Sequence, residues 1–569
     1  MKMIRTHWRL FSIGCALILA GSLLAHLVQT SGDVTVQDVR FSDSNGRNLS
    51  ALLYIPPDAS AESPAPGVLA VHGYINSREV QSSFAIEMAR RGYVVLALDQ
   101  GGHGYSDPPA FAEGFGGPGA LRYLRGLAFV DADNIGLSGH SMGGWTIQAA
   151  ASALPDGYRA MVLQGSSTGS GYAAPGSATQ PRNLAVIFAQ YDEFAPLMWE
   201  VGRGRDVAES EKLQTVFGTD EPVVEGRVYG NIPAGTGRIL YSPPVTHPGT
   251  HLSHAAVRHT IDWFDQTLAG GTPRPRDGQV WFFKELGTLA ALAGFVVLLL
   301  GSYRLLLTTA YFRQLDSPPV DAAWLQRTPR WWTLAALSSV IPVATFYLAF
   351  RWGGQLLPAS GLLPQAITNQ IVFWAVLNAV LLVALGRAIP ARTNPLKHQR
   401  ILPGVLIALA VVGIGYLAVL AADFLFKVDF RFWIVGVKRL SLQQFQSMLV
   451  YLAPFTLFFV LILRGLHGGL SVAGDRALRQ YTSNALILAG GFAAFLLLQY
   501  ASLFARGVLL TPAEPLNTIV MIQFVPLLFI ASLIGTFTYR RSGSHLPGAF
   551  ICALFVSWYI VAGQATQVG

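Results

Sequence analysis

A chain of 569 residues has room for two domains, and this one is 52% hydrophobic but only 13% charged. Soluble globular chains carry about 25% charged residues, so the composition excludes a protein that is soluble throughout. The formal net charge of +8 is spread over loops between apolar runs, which reads as a positive-inside bias rather than a nucleic-acid surface, and no nucleic-acid partner is expected.

The first residues carry Lys2, Arg5 and Arg9, and an apolar run of roughly twenty residues follows. That is a signal segment or an uncleaved anchor. The run is longer than the usual signal core of about 7–15 residues and no small-x-small cleavage site follows, which favours a retained anchor. Residues 34–41 and 49–55 read as two strands around a turn at 43–46. Continuous apolar runs at 66–72, 93–98, 134–137, 159–163, 184–188 and 239–242 have the character of buried parallel strands. Helical segments lie between them at 84–91, 120–129 and 145–153. An amphipathic helix closes the series at 255–268, with Val257, Ile261, Phe264 and Leu268 on one face. Alternating strands and helices predict an α/β fold, a mostly parallel sheet with helices on both faces.

The Gly- and Pro-rich stretch 269–277 marks a boundary. Beyond it, eight apolar segments of spanning length centre near Phe295, Pro342, Val376, Val411, Pro454, Ala493, Pro526 and Leu554. These predict an all-α transmembrane bundle. With the anchor, they make nine spans. Basic residues alternate along the loops. Arg313, Arg327 and Arg330, then Arg387, Arg392, Lys397 and Arg400, then Arg464, Arg476 and Arg479, then Arg540 and Arg541 fall in every second loop. That places the N-terminus inside and the α/β domain on the extracytoplasmic side of the cell membrane. The loop 426–440 breaks the rule with Lys427, Arg431, Lys438 and Arg439, and its apolar residues predict a segment lying in the interface. The domain organisation is therefore an anchor or signal segment (1–30), an α/β domain (31–270), a linker (271–285) and a multi-pass domain of about eight helices (286–569). Cys15 and Cys552 both sit in apolar runs, so no disulfide framework is expected.

The chemistry centres on Gly139-His140-Ser141-Met142-Gly143, which joins an apolar strand to a helix. This is the G-x-S-x-G pattern, in which a sharp turn presents the serine hydroxyl and only glycine fits two residues to either side. Further on, an aspartate, Asp192, follows the apolar run 184–188, and His247, His251 and His254 follow the run 239–242.

With those residues in that order, residues 34–268 resemble the α/β-hydrolases of the serine esterase, peptidase and dienelactone-hydrolase-like kind, whose chain order is nucleophile, acid, histidine. The resemblance implies Ser141 as nucleophile and Asp192 as the acid that orients the histidine, with Glu193 the neighbour that could replace it. It implies His247 as the base, with His251 as the alternative, and puts His254 and His259 on the closing helix. It implies an oxyanion hole formed by the backbone N–H groups of Met142, after the nucleophile, and Tyr74, after His72-Gly73. The loop from Asp99 to Ser106 resembles a family signature whose Asp99 and His103 are scaffold, and His72 is expected to brace its turn. The expected activity is a serine hydrolase acting on an ester or related acyl bond of a small or lipid-like substrate. A peptidase or acyltransferase of the same fold is the alternative, as is a transporter or sensor with a non-catalytic α/β domain. No cofactor and no metal are expected, because no metal-ligand spacing, P-loop or dinucleotide motif is present.

Overall fold

Strands buried on both faces must be apolar at every position. Residues 68–71 are each no more than 1% exposed. In the computed structural model, which describes residues 2–319, 326–389, 396 and 400–569, these residues sit in the middle of an eight-stranded sheet. The strands are β1 Thr35–Ser42, β2 Asn48–Ile55, β3 Ala65–Val71, β4 Val94–Asp99, β5 Val130–His140, β6 Ala160–Gln164, β7 Leu184–Ile187 and β8 Arg238–Tyr241. Their order is β1-β2-β4-β3-β5-β6-β7-β8. The β1–β2 and β2–β4 pairs are antiparallel, and every pair from β4 to β8 is parallel. This is the mostly parallel α/β sheet that the alternation predicts, in the α/β-hydrolase architecture that the resemblance implies.

The two-residue period of a strand sends neighbouring side chains to opposite cores. Leu69 and Val71 join Leu96, Leu98 and Leu137 beneath the helices Gly117–Arg125 and Met142–Ala153. Val68 and Ala70 join Val95, Ala97 and Val162 against the helices Ser82–Ala89 and His254–Thr267. The elbow strand is longer than the apolar run 134–137 predicts, because a register shift between Pro66 and Gly67 lets residues Val130 and Asp131 pair with the start of β3. The helix expected over 120–129 runs Gly117–Arg125, opened by Pro118 in its first turn.

The chain forms two compact units. One comprises Leu24–Leu286, Gln499–Pro515 and Gly563–Gly569, and the other Met1–Leu23, Gly287–Leu498 and Leu516–Ala562. The second unit is helical. Among the described residues, eight helices are long and apolar enough to cross a membrane. The pair Pro329–Ala344 and Phe346–Leu356, bent by 48°, is a ninth if it counts as one span. The bend follows Pro342, whose ring cannot continue the helical ladder, and the Trp374 indole donates to the carbonyl of Pro342 at 2.8 Å.

Glycines let two of these helices approach closely. Gly14 and Gly21 of the helix Lys2–Gln29 face Leu298 and Gly287, while Gly294 and Gly301 of the helix Trp281–Leu306 face Ile18 and Phe11. A Cβ at any of the four would lie 2.4–2.7 Å from the facing backbone. Small residues at such a seam are a packing device of membrane helices.

The stretch expected to lie in the interface pairs as a hairpin, Phe430–Phe432 with Val435–Val437. Phe430, Val437 and Lys438 are at most 1% exposed. Acidic partners offset two of its bases, with Arg431 on Asp429 at 2.5 Å and Arg439 on Asp423 at 3.1 Å. Arg392 and Lys397 lie outside the described residues.

Candidate active site

Parallel strands deliver their following loops to one edge of the sheet, and ligands of open α/β sheets bind there. The loops after β3, β4, β5, β7 and β8 carry Tyr74, His103, Ser141, Asp192 and His247.

Ser141 stands between β5 and the helix Met142–Ala153 with φ 53° and ψ −122°, a conformation costly for any residue with a side chain. Its neighbours allow the turn. A Cβ on Gly139 would lie 2.4 Å from the Gly143 carbonyl oxygen, and one on Gly143 would lie 2.3 Å from that of Val71. The Ser141 N–H donates to the Gln164 carbonyl at 2.8 Å, which pins the elbow to the neighbouring strand.

His247 Nδ1 sits 2.9 Å from Asp192 Oδ2 and 3.1 Å from Oδ1. The ring thus donates from Nδ1 and leaves Nε2 as its other functional nitrogen. Asp192 Oδ1 also accepts the Phe194 N–H at 2.9 Å. Burial alone would push His247 down, but the Asp192 carboxylate, with Glu193 behind it, raises it above the ordinary histidine value. Ser141 and His247 are joined through neighbours. Gly165, next to the Gln164 that holds Ser141, lies so close that a Cβ on it would be 2.9 Å from His247 Nδ1. No hydrogen bond links the Ser141 hydroxyl to His247 among the described residues; such bonds are often long in free enzymes.

His251 is buried, and neither ring nitrogen has a hydrogen-bond partner among the described residues. Burial, then the nearby His247, push it down to about 3. Its ring lies 3.9 Å from the His140 ring, tilted by 48°, whereas Asp192 is joined to His247.

Sequence reasoning gave His140 no role and offered Glu193 only as an alternative acid. His140 occupies the unassigned position of the glycine–serine motif, yet its Nε2–H donates to the His247 carbonyl at 3.1 Å. Glu193 does not replace Asp192; its Oε2 accepts the main-chain N–H of His247 at 2.7 Å. Burial, then the adjacent Asp192 charge, push Glu193 up to about 7. A carboxylate placed directly after the acid was the only signal for it.

Tyr74 follows the turn His72-Gly73, and a Cβ on Gly73 would lie 3.1 Å from the Ser141 Cβ. Met142 opens its helix, so its N–H has no acceptor within the helix. His72 donates from Nδ1 to the Gly73 carbonyl at 2.7 Å and accepts the Gln100 N–H on Nε2 at 3.2 Å, so it braces the turn. Gln100 links this turn to the elbow helix, donating to the His72 carbonyl and accepting from Thr146, both at 2.5 Å. Asp99 is scaffold as well, accepting the N–H groups of Arg78 at 2.8 Å and Tyr105 at 3.0 Å. Aromatic rings from these loops cluster together. Tyr74 lies 5.3 Å from Phe111, Phe115 lies 5.2 Å from Tyr172, and Trp145 lies 6.0 Å from Tyr172.

Residues 66–267 match the family model described as alpha/beta hydrolase fold. Among solved structures, an esterase from Pyrococcus furiosus aligns at 14% identity, covering 42% of this chain and 94% of its own, with a TM-score of 0.30. A dienelactone hydrolase-like promiscuous phosphotriesterase from metagenomic libraries aligns at 16% identity over 42% and 99%, with a TM-score of 0.30. No curated protein matches the chain. The fold assignment rests on the sheet order and the family match, and it gives the first unit the α/β-hydrolase fold.

Substituting Gly143 with alanine forces a Cβ against the Val71 and His72 carbonyls, 2.3 and 2.5 Å away. Gly143→Ala is expected to cost about 2–3 kcal/mol, the scale of overpacking. Thermal unfolding of the detergent-solubilised chain should show a midpoint several degrees below that of the unsubstituted protein.

Proposed function

We propose that this protein is a membrane-anchored serine hydrolase that cleaves an ester bond through an acyl-enzyme on Ser141. The observation that carries the reading is the buried Asp192–His247 pair, 2.9 Å apart, on the loops beside a serine held at φ 53°. His247 Nε2 takes the Ser141 proton as the hydroxyl oxygen bonds to the substrate carbonyl carbon. The developing oxyanion accepts from the backbone N–H groups of Tyr74 and Met142. The imidazolium, stabilised by Asp192, returns its proton to the leaving alcohol as the C–O bond breaks. Water then repeats the sequence on the acyl-enzyme and releases the acid. The aromatic rings of Tyr74, Phe111, Trp145 and Tyr172 favour an apolar acyl chain.

The apolar helices would anchor the enzyme, and the hydrolase unit lies on the extracytoplasmic side. Two observations support that side. Basic residues alternate along the loops, and two of the four later segments that this alternation assigns to the outside, 507–516 and the stretch after residue 563, fall largely within the α/β unit, while 353–364 and 426–440 belong to the helical unit.

Membranes carrying the full chain should label with a fluorophosphonate probe, and Ser141→Ala should abolish the labelling; a persistent signal in that variant would remove Ser141 from the mechanism. His247→Asn should lower the labelling rate by about 10³-fold or more, the scale of triad loss, while His251→Asn should retain most of it. Glu193→Gln deletes a negative charge that raises His247. The base would then lose its proton at lower pH, so the acid limb of the kcat/KM profile should move toward lower pH. Protease added to intact spheroplasts should degrade residues 31–270, and protection of that region would place the hydrolase inside.

A further inference from the structure

Resting on the serine-hydrolase reading, we propose that two segments remote in sequence complete the active site: Tyr500 positions the acid–base loop through Glu193, and Gln567 positions the oxyanion loop through Tyr74. Both segments, Gln499–Pro515 and Gly563–Gly569, belong to the same compact unit as the α/β sheet, although long apolar helices separate them from β8 along the chain.

The first contact is a chain of hydrogen bonds. The Tyr500 hydroxyl donates to Glu193 Oε1 at 3.0 Å, and Glu193 Oε2 accepts the main-chain N–H of His247 at 2.7 Å. Glu193 is only 6% exposed. A carboxylate this buried needs a donor on each oxygen, and these two bonds satisfy one each. The same segment packs further along the loop. The Phe504 ring meets Tyr191 edge-on at 5.1 Å, and Tyr191 is bridged to Thr246, immediately before His247. A Cβ on Gly507 would lie 2.7 Å from Arg203 Cδ. The residues on either side of Asp192 are therefore held by one segment from beyond the 31–270 domain, and Tyr191 passes that hold to Thr246.

The second contact is a short strand-like exchange. The Thr566 N–H donates to the Gly102 carbonyl at 2.8 Å, and the Thr566 carbonyl accepts the Ala110 N–H at 2.9 Å. A Cβ on Gly102 would lie 2.4 Å from the Thr566 carbonyl oxygen, so glycine is what lets the strap sit down. Beyond it, Gln567 Nε2 donates to the Tyr74 hydroxyl at 3.2 Å. The Tyr74 side chain packs 5.9 Å from His103 and 5.3 Å from Phe111, whose loop the strap holds. The Tyr74 main-chain N–H is the donor assigned to the oxyanion. Tyr500 and Gln567 touch no reacting atom in this scheme; they fix the two loops that do.

The test uses the full chain in detergent micelles, with a p-nitrophenyl ester as substrate and fluorophosphonate titration to count competent serines. Per titrated site, Tyr500→Phe should lower kcat by about tenfold, the scale of one hydrogen bond to a charged group. Gln567→Ala should lower it by about threefold, the scale of a neutral hydrogen bond, and KM should change little in either variant. Glu193→Gln keeps an acceptor for His247 and should retain more activity than Glu193→Ala. Gln567 is half-exposed, so its substitution reads positioning even if Tyr500→Phe folds poorly. Values of kcat within about twofold of the unsubstituted chain for both variants would overturn the inference while leaving the hydrolase reading intact. An unsubstituted chain that neither titrates nor turns over ester would instead overturn the hydrolase reading, and this inference with it.

Discussion

The arrangement around Ser141 depends on two adjacent carboxylates, Asp192 and Glu193, both buried against one histidine. Burying two acids side by side is unfavourable unless each is matched by donors. Here the matching does structural work. Asp192 takes the His247 ring, Glu193 takes the His247 main-chain N–H, and His140 takes the His247 carbonyl. The histidine is thereby held by its side chain and by both of its peptide groups. Mutual repulsion still shows, because Glu193 is pushed up to about 7 by burial and then by Asp192. The loop after β7 and the loop after β8 cannot separate without leaving a buried charge unpaired.

The sheet explains why these loops meet. Its parallel strands all point their C-terminal ends to one edge, so residues spread from 72 to 247 converge there. The elbow adds a local constraint. Ser141 occupies a strained conformation that the surrounding contacts impose: Gly139 and Gly143 allow backbone to approach within the space a side chain would fill, and Gln164 anchors the serine N–H. Gln100 then ties the turn at His72 to the helix that starts at Met142. The two proposed oxyanion donors and the nucleophile are thus braced by one buried polar network, the kind that is rigid when each member is satisfied.

The division into two units does not follow the linear chain. The first residues of the helix Lys2–Gln29 belong with the helical unit, and their glycines interlock with those of Trp281–Leu306. Conversely, short pieces after Leu498 and after Ala562 belong with the α/β unit. A boundary drawn where composition changes, near 270, contains the whole eight-stranded sheet but omits these returning pieces.

Patterns with a short period were legible in the sequence. Continuous apolar runs marked the parallel strands, the glycine–serine motif marked the elbow, and apolar length marked the helices, the bent pair near Pro342 included. Each of these depends on neighbours a few residues away. Tertiary packing decided what spacing left open. His247 and His251 lie four residues apart around one tight turn, and only the position of Asp192 distinguishes them. His140 and Glu193 sit beside motif residues but act through the backbone of another loop, which no local pattern records. That 430–437 pairs as a hairpin with acidic partners for Arg431 and Arg439 was likewise not written in its local pattern. Tyr500 and Gln567 carried no signal at all, since a single polar residue at the end of an apolar run is ordinary. Local burial determines period and so writes itself into the sequence, whereas a contact between residues hundreds apart is set by how the whole chain closes on itself.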